Sequence, residues 1–194
     1  MPPPPAAPPP EAPGPGTHRF GLVSDTHGLF RPLLEEVLRG VEGILHAGDV
    51  GGPEVLRRMR RIAPVTAVSG NVDYAVAGLA LPAFERVELY GLRVLITHYV
   101  GAPDFSLPPV AKAINTYRPG LVVSGHTHRP EIRRQEGILY VNPGSCGPRR
   151  LDLPIACAIL TLTERSGAPK FVVTVHDLES GTTLLDSTKQ EPRP

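Results

Sequence analysis

The stretch that decides the fold covers residues 20–27 and reads Phe20-Gly21-Leu22-Val23-Ser24-Asp25-Thr26-His27. A short apolar run ends there in a carboxylate, and an imidazole follows two positions further on. A continuous apolar run of this kind is typical of a strand that is covered on both faces, because its side chains are apolar on both sides. The polar residues then lie at the carboxyl end of the strand, which is where open α/β sheets bind their ligands.

Four further apolar runs end in the same way. Residues 44–45 precede Asp49, residues 65–68 precede Asn71, residues 94–96 precede His98, and residues 121–123 precede His126. Helical patterns lie between several of these runs, at residues 32–39, 53–61 and 110–117. The first part of the chain is therefore predicted to alternate strands with helices.

The second part of the chain has a different texture. Strand patterns cover residues 131–134, 137–141, 155–163 and 171–177, and turns rather than helices separate them. A βα-alternating half followed by a strand-rich half indicates two packed sheets with helices outside them. The sequence therefore predicts an α/β sandwich in one domain.

Composition sets the limits of that domain. The chain has 194 residues, and nine of its 24 prolines lie within residues 1–16. We expect a disordered, proline-rich tail at residues 1–17, a single domain at residues 18–180 and a flexible C-terminal tail at residues 181–194. A chain of this size is too short for a (β/α)8 barrel, which typically needs about 250 residues.

Charge and cysteine content bear on partners and compartment. The net charge of +1 gives no general attraction to nucleic acid or to an anionic membrane, and no nucleic-acid patch is expected. No stretch of about 18 apolar residues predicts a membrane-spanning helix. Two cysteines make neither a disulfide framework nor a zinc finger, and no signal-peptide pattern is present, so we expect a cytoplasmic protein. The sequence leaves a homo-oligomer open.

The five strand ends together bring seven potential metal ligands to one edge: Asp25, His27, Asp49, Asn71, His98, His126 and His128. Oxygen and nitrogen donors without a thiolate suit Mn, Fe, Zn, Co or Ni better than a structural thiolate zinc site. Seven donors are too many for one tetrahedral ion. They suit two ions that share one carboxylate.

The ordered series Asp-x-His, Gly-Asp, Gly-Asn, His and Gly-His-x-His resembles the pattern of the calcineurin-like metallophosphoesterase superfamily, and it spans residues 20 to about 150. The compact length and the segment Asn142-Pro143-Gly144-Ser145 resemble the small, YfcE-like phosphodiesterase branch of that family. The resemblance implies a four-layer α/β/β/α sandwich of two packed mixed sheets. It also implies a metal-dependent phosphodiesterase or phosphatase that acts on a small phosphoester.

The resemblance further implies a role for each ligand. Asp25, His27 and His128 would bind a first divalent ion; Asn71, His98 and His126 would bind a second; Asp49 would bridge them. Mn²⁺ is the expected metal, with Fe, Zn, Ni or Co as alternatives. A hydroxide between the ions would attack the P–O ester bond in line. The predicted catalytic residues are Asp49 and His98, and the predicted substrate contacts are Asn71 and Arg149.

One position departs from the family pattern and keeps a second function open. Many members have a histidine after Gly-Asn that protonates the leaving group, and the small branch often has a cysteine, whereas this chain has Val72. The leading hypothesis is a hydrolase that prefers good leaving groups. The alternative is a Vps29-like interaction scaffold of the same fold, although a scaffold need not keep all seven ligands.

Four other features are less well determined by the sequence. His46 is predicted to pack in the core rather than to bind metal. The segment from Asn142 to Ser145 fits either a turn or an anion contact. Arg149 or Arg150 offers a guanidinium group for the phosphate. Tyr99 follows His98 directly and is a candidate for lining the pocket.

Overall fold

A computed structural model describes residues 14, 16–101, 108–164 and 169–189 of the chain. In chain order these residues form β1 (Thr17–Val23), α1 (Leu33–Val37), β2 (Gly43–His46), α2 (Pro53–Met59), β3 (Val65–Ala67), β4 (Phe84–Leu89), β5 (Leu92–Thr97), α3 (Pro108–Tyr117), β6 (Leu121–Val123), β7 (Glu131–Gln135), β8 (Ile138–Asn142), β9 (Ala156–Thr163), β10 (Lys170–Asp177) and β11 (Thr183–Asp186). The predicted proline-rich tail lies outside the described residues except for Gly14, Gly16 and Thr17.

The strands form two mixed sheets. The first has the order β11-β10-β9-β1-β2-β3, in which β1, β2 and β3 are parallel and β9, β10 and β11 run antiparallel to their neighbours. The second has the order β4-β5-β6-β8-β7, with β5, β6 and β8 parallel and an antiparallel strand at each edge. Five of these parallel strands, β1, β2, β3, β5 and β6, carry the predicted ligands at their carboxyl ends.

Three apolar clusters show how the sheets and helices stack. The largest lies between the two sheets and contains Val94, Ile96 and Leu160. A second joins α1 and α2 to the outer face of the first sheet, and a third joins α3 to the outer face of the second sheet, where Leu95 packs on Ile114. Neighbouring residues of β5 thus face different layers, because side chains alternate along a strand. The predicted four-layer sandwich is confirmed.

Two strands were not expected from the sequence. The edge strand β4 contains the charged residues Glu85, Arg86 and Glu88, which interrupt its apolar run, and it is held by antiparallel pairing with β5. The strand β11 pairs with the edge of β10. These residues lie within the segment predicted as a flexible tail, residues 181–194, and here they pair with the sheet edge instead.

The helices are confirmed with altered ends. The helix α1 ends at Val37 and α2 at Met59, both before the predicted limits, and α3 begins at Pro108, two residues earlier than predicted. Gly40 follows α1 with a φ of 75°, the left-handed conformation that stops helices. Among the described residues, no helix is long and apolar enough to cross a membrane.

Candidate metal centre

All seven predicted ligands lie on loops that follow the parallel strands. Asp25 and His27 follow β1, Asp49 follows β2, and Asn71 follows β3. From the other sheet, His98 follows β5, while His126 and His128 follow β6. The site therefore draws ligands from both sheets, at the end of the sandwich where these strands finish.

One group of ligands contains Asp25, His27 and His128. His128 Nε2 lies 3.3 Å from Asp25 Oδ1 and 3.2 Å from His27 Nε2. The donor atoms of these three residues all lie within 4.8 Å of one another, so they can hold a metal ion together. They are the residues predicted for the first ion.

A second group contains Asn71, His98 and His126. Asn71 Oδ1 lies 3.2 Å from His98 Nε2 and 3.1 Å from His126 Nδ1. The carboxylate of Asp49 lies between the two groups, with Oδ2 at 3.4 Å from His98 Nε2 and 3.8 Å from His27 Nε2. One carboxylate oxygen is therefore close to ligands of both groups.

The hydrogen bonds of His98 test whether a metal ion fits. His98 Nδ1 donates to the Ala47 carbonyl at 2.8 Å, and this bond fixes the proton on Nδ1 because a carbonyl only accepts. In the neutral ring, the Nε2 lone pair then faces two further acceptors, Asn71 Oδ1 and Asp49 Oδ2. Three acceptors that face one point favour a positive charge between them. A divalent ion supplies it, and a ring nitrogen opposite a backbone hydrogen bond is the usual histidine ligand atom.

The protonation states of the first group also suit a metal. Burial alone would raise the pKa of Asp25, but hydrogen bonds from His128 and Ser24 bring it below its ordinary value. Burial lowers the pKa of His27, although the charges of Asp49 and Asp25 act in the opposite direction. At neutral pH an anionic carboxylate thus meets a neutral imidazole, which is the state that metal binding requires.

The ligand loops adopt an uncommon backbone conformation. Nine non-glycine residues of the described chain have a positive φ, and five of them are ligands: Asp25, His27, Asp49, His126 and His128, at 46–71°. Each such residue costs roughly 1–2 kcal/mol, and such residues cluster at functional sites. This conformation turns the chain sharply at the strand end.

The glycines before the ligands have two different reasons to be there. Gly48 has a φ of 87°, a conformation that favours glycine at a tight turn, and a Cβ atom there would lie 2.8 Å from the ring of His98. Gly70 and Gly125 do not have a positive φ. A Cβ atom at Gly125 would lie 2.6 Å from Asp25 Oδ2, and one at Gly70 would overlap the Asp49 carboxylate. At these two positions glycine is needed because any larger side chain would collide with a ligand carboxylate.

Asp73 joins two of the ligand loops, a role that the sequence did not reveal. Its buried carboxylate accepts backbone hydrogen bonds from Val50 at 3.1 Å, Gly51 at 2.8 Å and Gly70 at 2.8 Å. Val50 follows one ligand directly and Gly70 precedes another. The only sequence signal is an acidic residue three positions after a glycine, which by itself indicates an ordinary turn.

His46 and Thr26 form a second link between loops. His46 Nε2 lies 2.9 Å from Thr26 Oγ1, which also lies 2.9 Å from the Val50 carbonyl oxygen. The hydroxyl of Thr26 donates to Val50, and His46 Nε2 then donates to Thr26. Burial lowers the pKa of His46 to about 4, so the ring stays neutral. The predicted core position of His46 is confirmed, and its contact with Thr26 adds a positioning role.

The segment from Asn142 to Ser145 holds the ligand loops through side-chain hydrogen bonds. Asn142 Nδ2 donates to the Gly125 carbonyl at 2.8 Å and to Thr127 Oγ1 at 3.0 Å. Ser145 Oγ donates to the Asp25 carbonyl at 2.9 Å. Both side chains are thereby occupied by the backbone around the ligands, which favours the turn interpretation.

Cys146 beside them is buried, and burial raises the pKa of its thiol to about 12, so it is not a nucleophile.

The two candidate arginines occupy different surroundings. Arg149, the predicted substrate contact, forms an exposed ion pair with Glu179 and donates to the Leu153 carbonyl at 3.3 Å. Arg150 lies close enough to His27 for its positive charge to lower the pKa of that ring. Exposed ion pairs are weak, so a role for Arg149 in substrate binding stays a prediction, and Arg150 joins it as a candidate.

Comparison with known proteins identifies the family. Residues 19–165 match the Calcineurin-like phosphoesterase superfamily domain. A probable metallophosphoesterase from Methanothermobacter thermautotrophicus is 34% identical over 140 residues, which cover 70% of this chain and 81% of the relative. The chain therefore belongs to the calcineurin-like phosphoesterase superfamily, as the ordered ligand motifs predicted.

Two solved structures show the same fold. Vacuolar Protein Sorting 29 from Cryptosporidium parvum matches with a TM-score of 0.71 and 21% identity, over 86% of this chain and 94% of that one. YfcE, a phosphoesterase from E. coli, matches with a TM-score of 0.61 and 24% identity, over 87% and 97% of the two chains. At these identities the likeness establishes the metallophosphoesterase fold.

Replacing Asp73 tests the link between the loops. We expect Asp73→Asn to lower the free energy of unfolding by about 2–4 kcal/mol, because the amide keeps one acceptor oxygen and turns an NH₂ group towards backbone N–H groups. Urea unfolding in the presence of a chelator measures this loss. A calorimetric titration with Mn²⁺ should also show weaker binding. Asp177→Asn is the matched control, since Asp177 accepts two backbone bonds in an exposed turn; an equal loss in both variants would contradict the assignment.

The lowered pKa of the buried His46 ring predicts that the stability of the protein depends on pH. Its pKa falls from 6.5 in the unfolded chain to about 4 in the folded one, so stability is full above pH 6.5 and is lost as the pH falls. In His46→Gln this contribution is absent. The unfolding free energy of the wild type should therefore drop by about 2 kcal/mol more than that of the variant between pH 7 and pH 5. Urea unfolding with chelator present measures it, and parallel pH profiles would show that His46 is not responsible.

Proposed function

We propose that the protein is a phosphodiesterase that depends on two divalent metal ions, with Mn²⁺ as the preferred metal. One observation carries the proposal: the carboxylate of Asp49 lies between two ligand groups that each supply three further donors. Separate donors with one shared carboxylate are the arrangement of a two-metal hydrolytic site. The resemblance to the small phosphodiesterase branch supports diesters as the substrates.

Metal ions at this site supply two kinds of chemistry: they lower the pKa of bound water towards 7 and they polarise phosphoryl oxygens. The protein residues hold the geometry. Val72 N–H donates to Asp49 Oδ1 at 3.0 Å, which fixes the carboxylate and leaves Oδ2 towards the ligands. Asn71 directs its oxygen to two histidines, and its NH₂ group is then available to donate to a phosphoryl oxygen.

The leaving group receives no help from position 72. The Val72 side chain is 36% exposed beside the ligand loop and carries no proton to transfer. An ester whose leaving oxygen is already stable as an anion does not need an acid. We therefore propose that the enzyme favours esters with leaving groups of low pKa.

A hydrolysis assay tests the proposed activity. Protein reloaded with Mn²⁺ should hydrolyse bis-nitrophenyl phosphate, and a chelator should abolish turnover. Asp49→Ala should lose more than the roughly 10–100-fold typical of residues outside the ligand shell. If folded wild-type protein shows no metal-dependent turnover above Asp49→Ala, the hydrolase proposal fails and the scaffold hypothesis takes its place.

Restoring a proton donor tests the role of position 72. We expect Val72→His to raise kcat/KM about 100-fold for esters with poor leaving groups, the lower range for general acid catalysis, and to change it little for nitrophenyl esters. Rates for phenyl and nitrophenyl esters of the same phosphate measure the ratio. Val72→Phe is the control, because it adds a ring without a donor. An unchanged ratio in the histidine variant would show that a missing acid does not limit the rate.

A further inference from the structure

The two ligand groups have different surroundings. Beside the group formed by Asp25, His27 and His128, the charge of Arg150 acts on His27. Beside the group formed by Asn71, His98 and His126, the chain continues directly into Val72 and Tyr99. Both of these side chains are more than a third exposed, at 36% and 38%. The side of the site next to Val72 and Tyr99, the apolar side, thus carries two partly exposed, uncharged side chains.

Tyr99 is in ring contact with a ligand. Its ring centroid lies 4.7 Å from that of His126, with the planes tilted by 54°. His126 in turn meets His98 edge-on at 5.2 Å. The phenol ring is therefore held against the ligands while more than a third of the residue remains open to solvent.

The apolar side has the properties of a binding wall. A single exposed apolar residue is ordinary, but here two directly follow ligands of the same group in the chain, on loops that follow β3 and β5. A flat group that stacks on an aromatic side chain gains roughly 1–3 kcal/mol. An apolar or aromatic organic group of an ester bound at the ligands would gain from contact with this wall.

We propose that Tyr99 and Val72 form a wall that binds a flat aromatic group of the substrate, so that the enzyme selects aryl or nucleobase-bearing phosphoesters over alkyl ones. This inference rests on the proposed phosphoesterase function. The organic group of the substrate would then lie on the side of His126, with the phosphoryl charge near the ligands.

Binding of two phosphonates tests the wall without turnover. Calorimetry on the Mn²⁺-loaded protein should give a dissociation constant for phenylphosphonate at least about fivefold lower than for methylphosphonate. Tyr99→Ala should reduce that ratio to near one with little change for methylphosphonate, and Tyr99→Phe should keep it. Tyr90→Ala is the matched control, because Tyr90 is also exposed and also stacks on a histidine, His18, away from the ligands.

A second variant reports the contact directly. The chain contains no tryptophan, so Tyr99→Trp introduces a single indole at the wall. Phenylphosphonate should change its emission at concentrations where methylphosphonate does not. A wild-type ratio near one, an unchanged ratio in Tyr99→Ala, or no binding of either phosphonate would overturn the inference. Hydrolysis of bis-nitrophenyl phosphate in the same samples reports the proposed function separately, since turnover can persist when the wall is absent.

Discussion

The candidate metal centre depends on the left-handed backbone conformation, with a positive φ, which residues other than glycine adopt only at a cost in free energy. Five ligands have a positive φ, at the ends of β1, β2 and β6. The chain thereby turns at once from strand to loop. Cross-loop hydrogen bonds hold this conformation: Asp25 N–H donates to the Gly48 carbonyl at 3.0 Å, and His27 N–H donates to the Asp49 carbonyl at 2.9 Å. The stability of the sandwich offsets the strain, as is common at functional sites.

Buried polar groups complete this arrangement. Asp73 gathers three backbone N–H groups, and Thr26 joins His46 to the Val50 carbonyl. These buried hydrogen bonds rigidify the loops that they join, although His46 Nδ1 has no hydrogen-bond partner among the described residues. None of these groups belongs to a residue that is predicted to bind metal or substrate. Their effect is to fix the distances between ligand loops that come from different strands.

The chemistry of the site follows from what these loops carry beyond the ligands. Backbone contacts from the Val72 N–H and the Ala47 carbonyl hold the Asp49 carboxylate and the His98 ring, so these two groups would need little rearrangement to bind an ion. Under the proposed function, such preorganised charge would contribute to catalysis. The residues that directly follow two of the ligands, Val72 and Tyr99, are partly exposed. Under the proposed function, they are the positions that would affect the choice of leaving group and substrate.

The sequence by itself predicted the family, the alternation of strands and helices in the first part of the chain and the seven candidate ligands that lie at the strand ends, because apolar runs that end in such residues are local patterns. It did not reveal β4 or β11, whose pairing depends on a neighbouring strand rather than on their own composition. Nor did it assign Asp73, because residues distant in sequence supply two of its three backbone partners. The tertiary structure alone decided which side chains meet at the strand ends, since that depends on how two sheets pack.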